Sequence, residues 1–215
     1  TFGVTICWIE HVMSVLMEHA IDLGWTEKNP AKGVRKLKTP EDRKQEHVPW
    51  PDDAVDLFRA EASPLARLIF EIGVGSVQRP GDWPRFRWND YDGTALNVTQ
   101  GKTDRALWLP CTAQLRAALD AAPRRGLTIL TKPDGSPMSY HYLSRVMRDE
   151  RKRLGLERYD LHALRYRGVM ELAWAGCDDD EIAAFSGHAS KQMIAKYAGI
   201  ARQRMRAAQA AAKRR

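Results

Sequence analysis

The chain lacks any apolar run long enough to span a bilayer, which excludes a helical membrane protein. Its N-terminus shows no charged-then-apolar layout, so no secretory leader is expected. Cysteine is scarce: Cys7, Cys111 and Cys177 are odd in number and far apart, which suits neither a disulfide framework nor a zinc site. That usage points to a reducing, cytoplasmic setting. No phosphate-cradling P-loop, no H-E-x-x-H and no G-x-S-x-G occurs, and no carboxylate cluster suggests a two-metal nuclease. There is no internal repeat. The one biased segment is the tail, ARQRMRAAQAAAKRR at 201–215, which holds no acidic residue.

What is present is an ordinary apolar fraction, 44% of 215 residues, enough for one good-sized core. Lys and Arg number 34 against 27 acidic residues, for a net charge of +7. A basic excess of this kind suits a polyanionic partner such as nucleic acid, and equally an unremarkable basic surface.

Residues 5–23 have helical periodicity, with Ile9, Val12, Val15, Leu16 and Ala20 on one side, and Gly24 ends the helix. Residues 31–49 read as a linker. Two prolines, Pro40 and Pro49, stand among dense charges, and Lys36, Lys38, Arg43 and Lys44 are candidates for contact with DNA phosphates. Asp52 or Asp53 opens a helix, and Pro64 starts a strongly apolar one over 64–75. Pro80 is placed to start another, burying Trp83, Phe86 and Trp88. Residues 95–100 and 105–110 alternate as strands of a hairpin turned at 101–104, and Thr128–Leu130 reads as one more short strand. Helices are expected over 112–122, from Ser139 to Leu154, from Leu161 to Ala175 behind the cap Asp160, and from Asp179 to Ser186. Ser190 caps a last helix, which carries Tyr197. The fold class is therefore mainly α with a small antiparallel β-sheet.

Five features stand in order along this frame: QRP at 78–80, GKT at 101–103, HALR at 162–165, SGHAS at 186–190 and AKYAG at 195–199. Each residue alone has a plainer explanation as a surface charge, a turn lysine, a half-buried histidine or a core aromatic. Together they resemble the signature of the tyrosine recombinases, the phage integrase family. The resemblance implies a catalytic set of Arg79, Lys102, His162, Arg165, His188 and Tyr197, with Tyr197 the nucleophile. It runs from about residue 50 to the C-terminus. Before it, GWTEKNPAKGV at 24–34 resembles the end of the helical core-binding domain of integrases. The implied organisation is a remnant of that domain over 1–30, the linker over 31–49 and the catalytic domain over 50–215.

The chemistry agrees with the set. Tyrosine oxygen can form a covalent link to a phosphate. Guanidiniums offer planar forks of donors to its oxygens, lysine can protonate a leaving oxygen, and histidine can donate a bond or take the tyrosine proton. The resemblance implies site-specific cutting and rejoining of DNA through a 3′-phosphotyrosyl intermediate, with no cofactor and no metal. It also implies double-stranded attachment-site DNA as partner, self-assembly into a tetramer on that DNA, and accessory DNA-bending proteins. Two other readings share parts of the pattern: a type IB topoisomerase, and a DNA-binding module without activity. Tyr140, His141, Tyr142, Tyr159 and Tyr166 are expected to be structural, with Tyr166 pointing away from Arg165. His11, His19 and His47 have no evident partner.

Overall fold

A computed structural model describes residues 2–34, 47–187 and 191–214. The chain divides into two units, 1–46 and 47–215. The proposed DNA contacts Lys36, Lys38, Arg43 and Lys44, together with His188 and the capping residue Ser190, lie outside the described residues.

In the first unit the helix α1 (Phe2–Asp22) is followed by a turn that folds back on it. Asn29 makes that return, donating from Nδ2 to the Ser14 carbonyl at 3.0 Å and to Glu18 Oε1 at 2.9 Å. The apolar stripe read along this helix is exposed: Ile9, Val15 and Leu16 each keep more than half of their surface.

The second unit is built from α2 (Asp52–Glu61), α3 (Pro64–Ser76), strands β1 (Ala95–Thr99) and β2 (Ala106–Pro110), α4 (Ala113–Ala121), α5 (Tyr140–Arg153), α6 (Leu161–Trp174), α7 (Asp179–Ser186) and α8 (Lys191–Lys213). Local chemistry explains most boundaries. Thr112, Ser139, Asp160 and Asp178 each accept a hydrogen bond from a backbone N–H of the first turn of the helix that follows. At Asp178 the cap is reciprocal, with Glu181 reaching back to its N–H.

α3 is the central element. Its apolar side chains are buried almost all round, and α4, α5 and α6 pack on it. Trp50, Phe58 and Phe70 interlock beside it with ring centroids 4.8–5.4 Å apart, each pair adding about 1 kcal/mol beyond area burial. α6 crosses α3 closely at Gly168, where a Cβ would stand 2.4 Å from the Val74 carbonyl oxygen. β1 and β2 pair antiparallel in the register Asn97↔Trp108, with Leu96, Val98, Leu107 and Leu109 turned to the core.

Two expectations over short segments are corrected. No α-helix starts at Pro80. Two 3-10 turns, Trp83–Arg85 and Trp88–Asp90, stand there, although Trp83, Phe86 and Trp88 are buried as expected. Pro84 has no N–H to give, and the stretch is too short for a helical ladder. Thr128–Leu130 forms no strand either. Isolated bridges, Arg87 with Thr128 and Thr131 with Pro137, satisfy the backbone there. Among the described residues no helix is long and apolar enough to cross a membrane. The same residues contain no group of three or more side chains suited to a metal ion.

Candidate active site

The site forms where α3, α6, α7 and α8 end or begin near the β1–β2 turn. α3 stops at Val77, whose backbone is left-handed (φ 55°). That conformation is rare for a β-branched residue and is held here by burial, since Val77 is only 2% exposed. The turn it makes presents Gln78 and Arg79 at the end of the core helix. Arg79 is half-buried, and its Nη1 is a buried donor without a hydrogen-bond partner among the described residues.

Arg165 rises from α6 and is 1% exposed. Its Nη2 donates to the Ser186 carbonyl, the last residue of α7, at 3.1 Å. Burial, and next the positive charge of Arg79, push the Arg165 guanidinium down to about 10, against the pull of Asp82. The positive charges of Arg79 and Arg165 thus oppose each other at the end of the core helix. An anion placed between them would relieve that cost.

His162 stands one turn earlier on α6. Its pKa is lowered by burial, then by His47, Arg165 and Arg79, with Asp160 opposing. The ring is thus held neutral and able to take a proton. His47, for which the sequence offered no partner, lies against it with ring centroids 4.9 Å apart, and its Nδ1 meets Asp160 Oδ2 at 2.6 Å. Asp160 serves twice, since its other oxygen caps α6 through Ala163 N–H at 2.8 Å.

Tyr197 projects from α8 and is 4% exposed. Its ring stacks on Tyr166 at 3.7 Å and 14°. Tyr166 in turn packs edge-on to His162 at 5.1 Å. Burial, then a hydrogen bond with Tyr197, raise the pKa of Tyr166. Tyr166 points away from Arg165 as expected, and that direction sets it between His162 and Tyr197. Arg165 and Tyr166 leave α6 in different directions, one toward Arg79 and one toward Tyr197, because adjacent helical residues do not share a face. α8 is anchored beyond Tyr197 by Arg202, which donates to Asp179 Oδ1 at 2.6 Å and to the Cys177 carbonyl at 2.7 Å.

Lys102 sits at the exposed tip of the β1–β2 turn. The root of that turn is buried against the site. Gln100, 1% exposed, donates from Nε2 to Gln78 Oε1 at 2.6 Å and to the Ser186 carbonyl at 3.0 Å. Gly101 N–H donates to Asp82 Oδ1 at 3.0 Å. The structure thus brings Arg79, Arg165 and His162 near enough for their charges to interact, joins Tyr197 to His162 through the ring of Tyr166, and holds the root of the Lys102 turn against Gln78, Asp82 and Ser186. Sequence reasoning passed over Gln78, Gln100, Asp82, His47 and Tyr166. Only Gln78 and Gln100 carried a signal, as amide residues placed one and two positions before a candidate catalytic cation.

Comparison with known proteins identifies the family and the fold. The family model described as "Phage integrase family" matches residues 51–204. The integrase of Enterobacteria phage 434 is 29% identical over 159 residues, covering 69% of this chain and 44% of that protein. The chain thus spans less than half the length of this relative. A lambda integrase (75–356) dimer bound to a COC′ core site superposes with a TM-score of 0.73 at 24% identity, covering 91% of this chain and 73% of that one. A lambda integrase tetramer bound to a Holliday junction gives 0.67 at 26% identity, covering 86% and 58%.

Proposed function

Because this chain belongs to the phage integrase family, we propose that it cuts and rejoins double-stranded DNA at specific sites, using Tyr197 as nucleophile. The observation that carries this reading is a pair of arginines held in the fold, Arg165 1% exposed and Arg79 with a buried Nη1 that has no hydrogen-bond partner among the described residues, beside the α6–α8 seam that holds Tyr197. Such a pair suits the non-bridging oxygens of a phosphodiester, and phosphoryl transfer rests chiefly on positioning and charge stabilisation.

The steps balance without a cofactor. Tyr197 Oη attacks phosphorus, and its proton passes to the neutral His162. The P–O5′ bond breaks as a 3′-phosphotyrosyl bond forms. Lys102 gives a proton to the departing 5′ oxygen. His188 donates to the same phosphate. A 5′-hydroxyl from a second strand then attacks the phosphotyrosine and restores a phosphodiester. The first link retains the bond energy, so no nucleotide is consumed.

Strand exchange between two duplexes needs more than one active site, and we infer assembly as a tetramer on DNA. The lambda integrase neighbours, a dimer on a core site and a tetramer on a Holliday junction, support this. The linker cations Lys36, Lys38, Arg43 and Lys44 would add sequence-independent phosphate contacts. The setting would be a bacterial cytoplasm, where DNA attachment sites and accessory DNA-bending proteins are at hand.

The test is a nicked suicide duplex bearing candidate attachment sites, from which the strand released on cleavage diffuses away. A denaturant-stable protein–DNA adduct that vanishes in Tyr197→Phe, with DNA binding retained, supports the reading. Equal adduct from Tyr197→Phe would sink it.

A further inference from the structure

The buried amide of Gln100 joins three separate parts of the site. Its Nε2 spends both hydrogens, one on Gln78 Oε1 at 2.6 Å and one on the Ser186 carbonyl at 3.0 Å. Its Oε1 accepts from Thr103 Oγ1 at 2.7 Å. The orientation of the amide is fixed by its surroundings, because a carbonyl such as that of Ser186 can only accept. Gln78 completes the chain, donating from Nε2 to the Ser76 carbonyl at 3.0 Å and to the Phe185 carbonyl at 3.3 Å.

Each end of this network adjoins a residue with a chemical task. Gln78 precedes Arg79. The Ser186 carbonyl also receives Arg165 Nη2. Thr103 follows Lys102 on the turn. The fit leaves no slack, since a Cβ on Gly187 would stand 2.4 Å from Gln100 Nε2. A fully satisfied buried polar network of this kind specifies one arrangement and penalises others, because any departure strands donors and acceptors away from water. Gly101 N–H, held by Asp82 Oδ1 at 3.0 Å, fixes the turn from a second side, and the Gln100 amide is what ties it to Gln78 and Ser186. Lys102 is exposed, and a flexible lysine reaches a given atom only if its backbone is held.

We propose that Gln100 is a positioning residue for proton delivery: its shared amide docks the β1–β2 turn against Gln78 and Ser186 and so sets where Lys102 meets the departing 5′ oxygen. The proposal rests on the recombinase reading above and adds to it a residue that touches neither DNA nor the reacting atoms.

The test separates proton delivery from general damage to the site. Single-turnover cleavage is measured on two suicide duplexes, one ordinary and one with sulfur replacing the bridging 5′ oxygen at the scissile phosphate. A departing thiolate needs no proton, so the second substrate does not require a general acid. Gln100→Glu keeps the shape of the side chain but sets an acceptor against the acceptors of Gln78 and Ser186. It is expected to slow cleavage of the ordinary duplex by about tenfold to a hundredfold, a partial loss that reaches only the lower end of what complete removal of a general acid costs, and to leave the sulfur duplex within about threefold of wild type by the same principle. Lys102→Ala should show the same pattern, and the double variant should be no slower than Lys102→Ala alone. Thr103→Val, which removes only the hydroxyl donor at the exposed end, should show a smaller loss with the same rescue by sulfur. It serves if Gln100→Glu does not fold.

Equal loss on both duplexes in Gln100→Glu or Thr103→Val overturns the proposal, because the amide would then be supporting the arginines and not the lysine. Absence of sulfur rescue in Lys102→Ala overturns it too, since there would be no proton delivery to position. Wild-type protein that forms no adduct on either duplex removes the recombinase reading itself.

Discussion

Replacing Arg165 with methionine should stabilise the protein while abolishing cleavage. Arg165 is 1% exposed, and its guanidinium is depressed to about 10 by burial and by Arg79. For a base, a depressed folded-state pKa means that the charged form is penalised in the fold. The penalty is fully present below about pH 10 and disappears only as the pH rises toward the ordinary guanidinium value. At neutral pH it amounts to about 3 kcal/mol. Methionine removes it, and also removes the hydrogen bond to the Ser186 carbonyl, worth about 1–2 kcal/mol for a charged donor. That carbonyl keeps a partner in Gln100. The net gain is roughly 1–2 kcal/mol, or about 2–8 °C in Tm for a domain of this size. The assay is thermal unfolding with and without sulfate. Bound at about ten times its Kd, an anion between Arg79 and Arg165 should raise wild-type stability by about 1.4 kcal/mol, and should do much less for Arg165→Met. If Arg165→Met melts below wild type, or if sulfate stabilises both equally, the two guanidiniums are not a strained phosphate cradle.

Further outcomes follow from the same contacts. Gly187→Ala demands a left-handed alanine (φ 67°) and drives its Cβ into the Gln100 amide, so it should cost about 2–4 kcal/mol in urea unfolding; a loss below about 0.5 kcal/mol would contradict the packing. His47→Ala removes the second-largest cause lowering His162 and frees Asp160. The His162 pKa, followed by NMR, should rise, and the acid limb of cleavage should move to higher pH with it. In wild type, unfolded His162 protonates before the folded form. Stability should therefore fall as the pH drops through about 6.5 and below. Tyr166→Phe keeps the stacked ring but loses the hydroxyl shared with Tyr197, so stability should fall by about 1 kcal/mol while the adduct stays on Tyr197.

The elements that local chemistry controls were legible in advance. The caps Ser139 and Asp160 announce their helices because each needs only partners within three residues; Thr112 and Asp178 cap in the same way without having been read as caps. The hairpin alternates visibly, and its strands form within the segments read for them. The short segments failed for the opposite reason. At 83–90 and 128–130 the backbone is satisfied by single turns and isolated bridges, which leave no period to read. Of the site, the ordered set of charged and nucleophilic residues could be seen, while the groups that hold it could not. Gln100 meets Ser186 across 86 positions and His47 meets Asp160 across 113, and nothing local marks such pairs. Tyr166 was set aside because it follows Arg165 on α6, yet its other side receives the ring of α8.

The central claim is that Tyr197 carries the covalent link to DNA, and Tyr166, stacked on it at 3.7 Å, is the nearest rival. Protein trapped on a nicked suicide duplex, digested with protease and nuclease and sequenced by mass spectrometry, assigns the link to one residue. The account predicts a nucleotide remnant on the peptide containing Tyr197 and none on the peptide containing Tyr166. A remnant on Tyr166, or on any other residue, would contradict it.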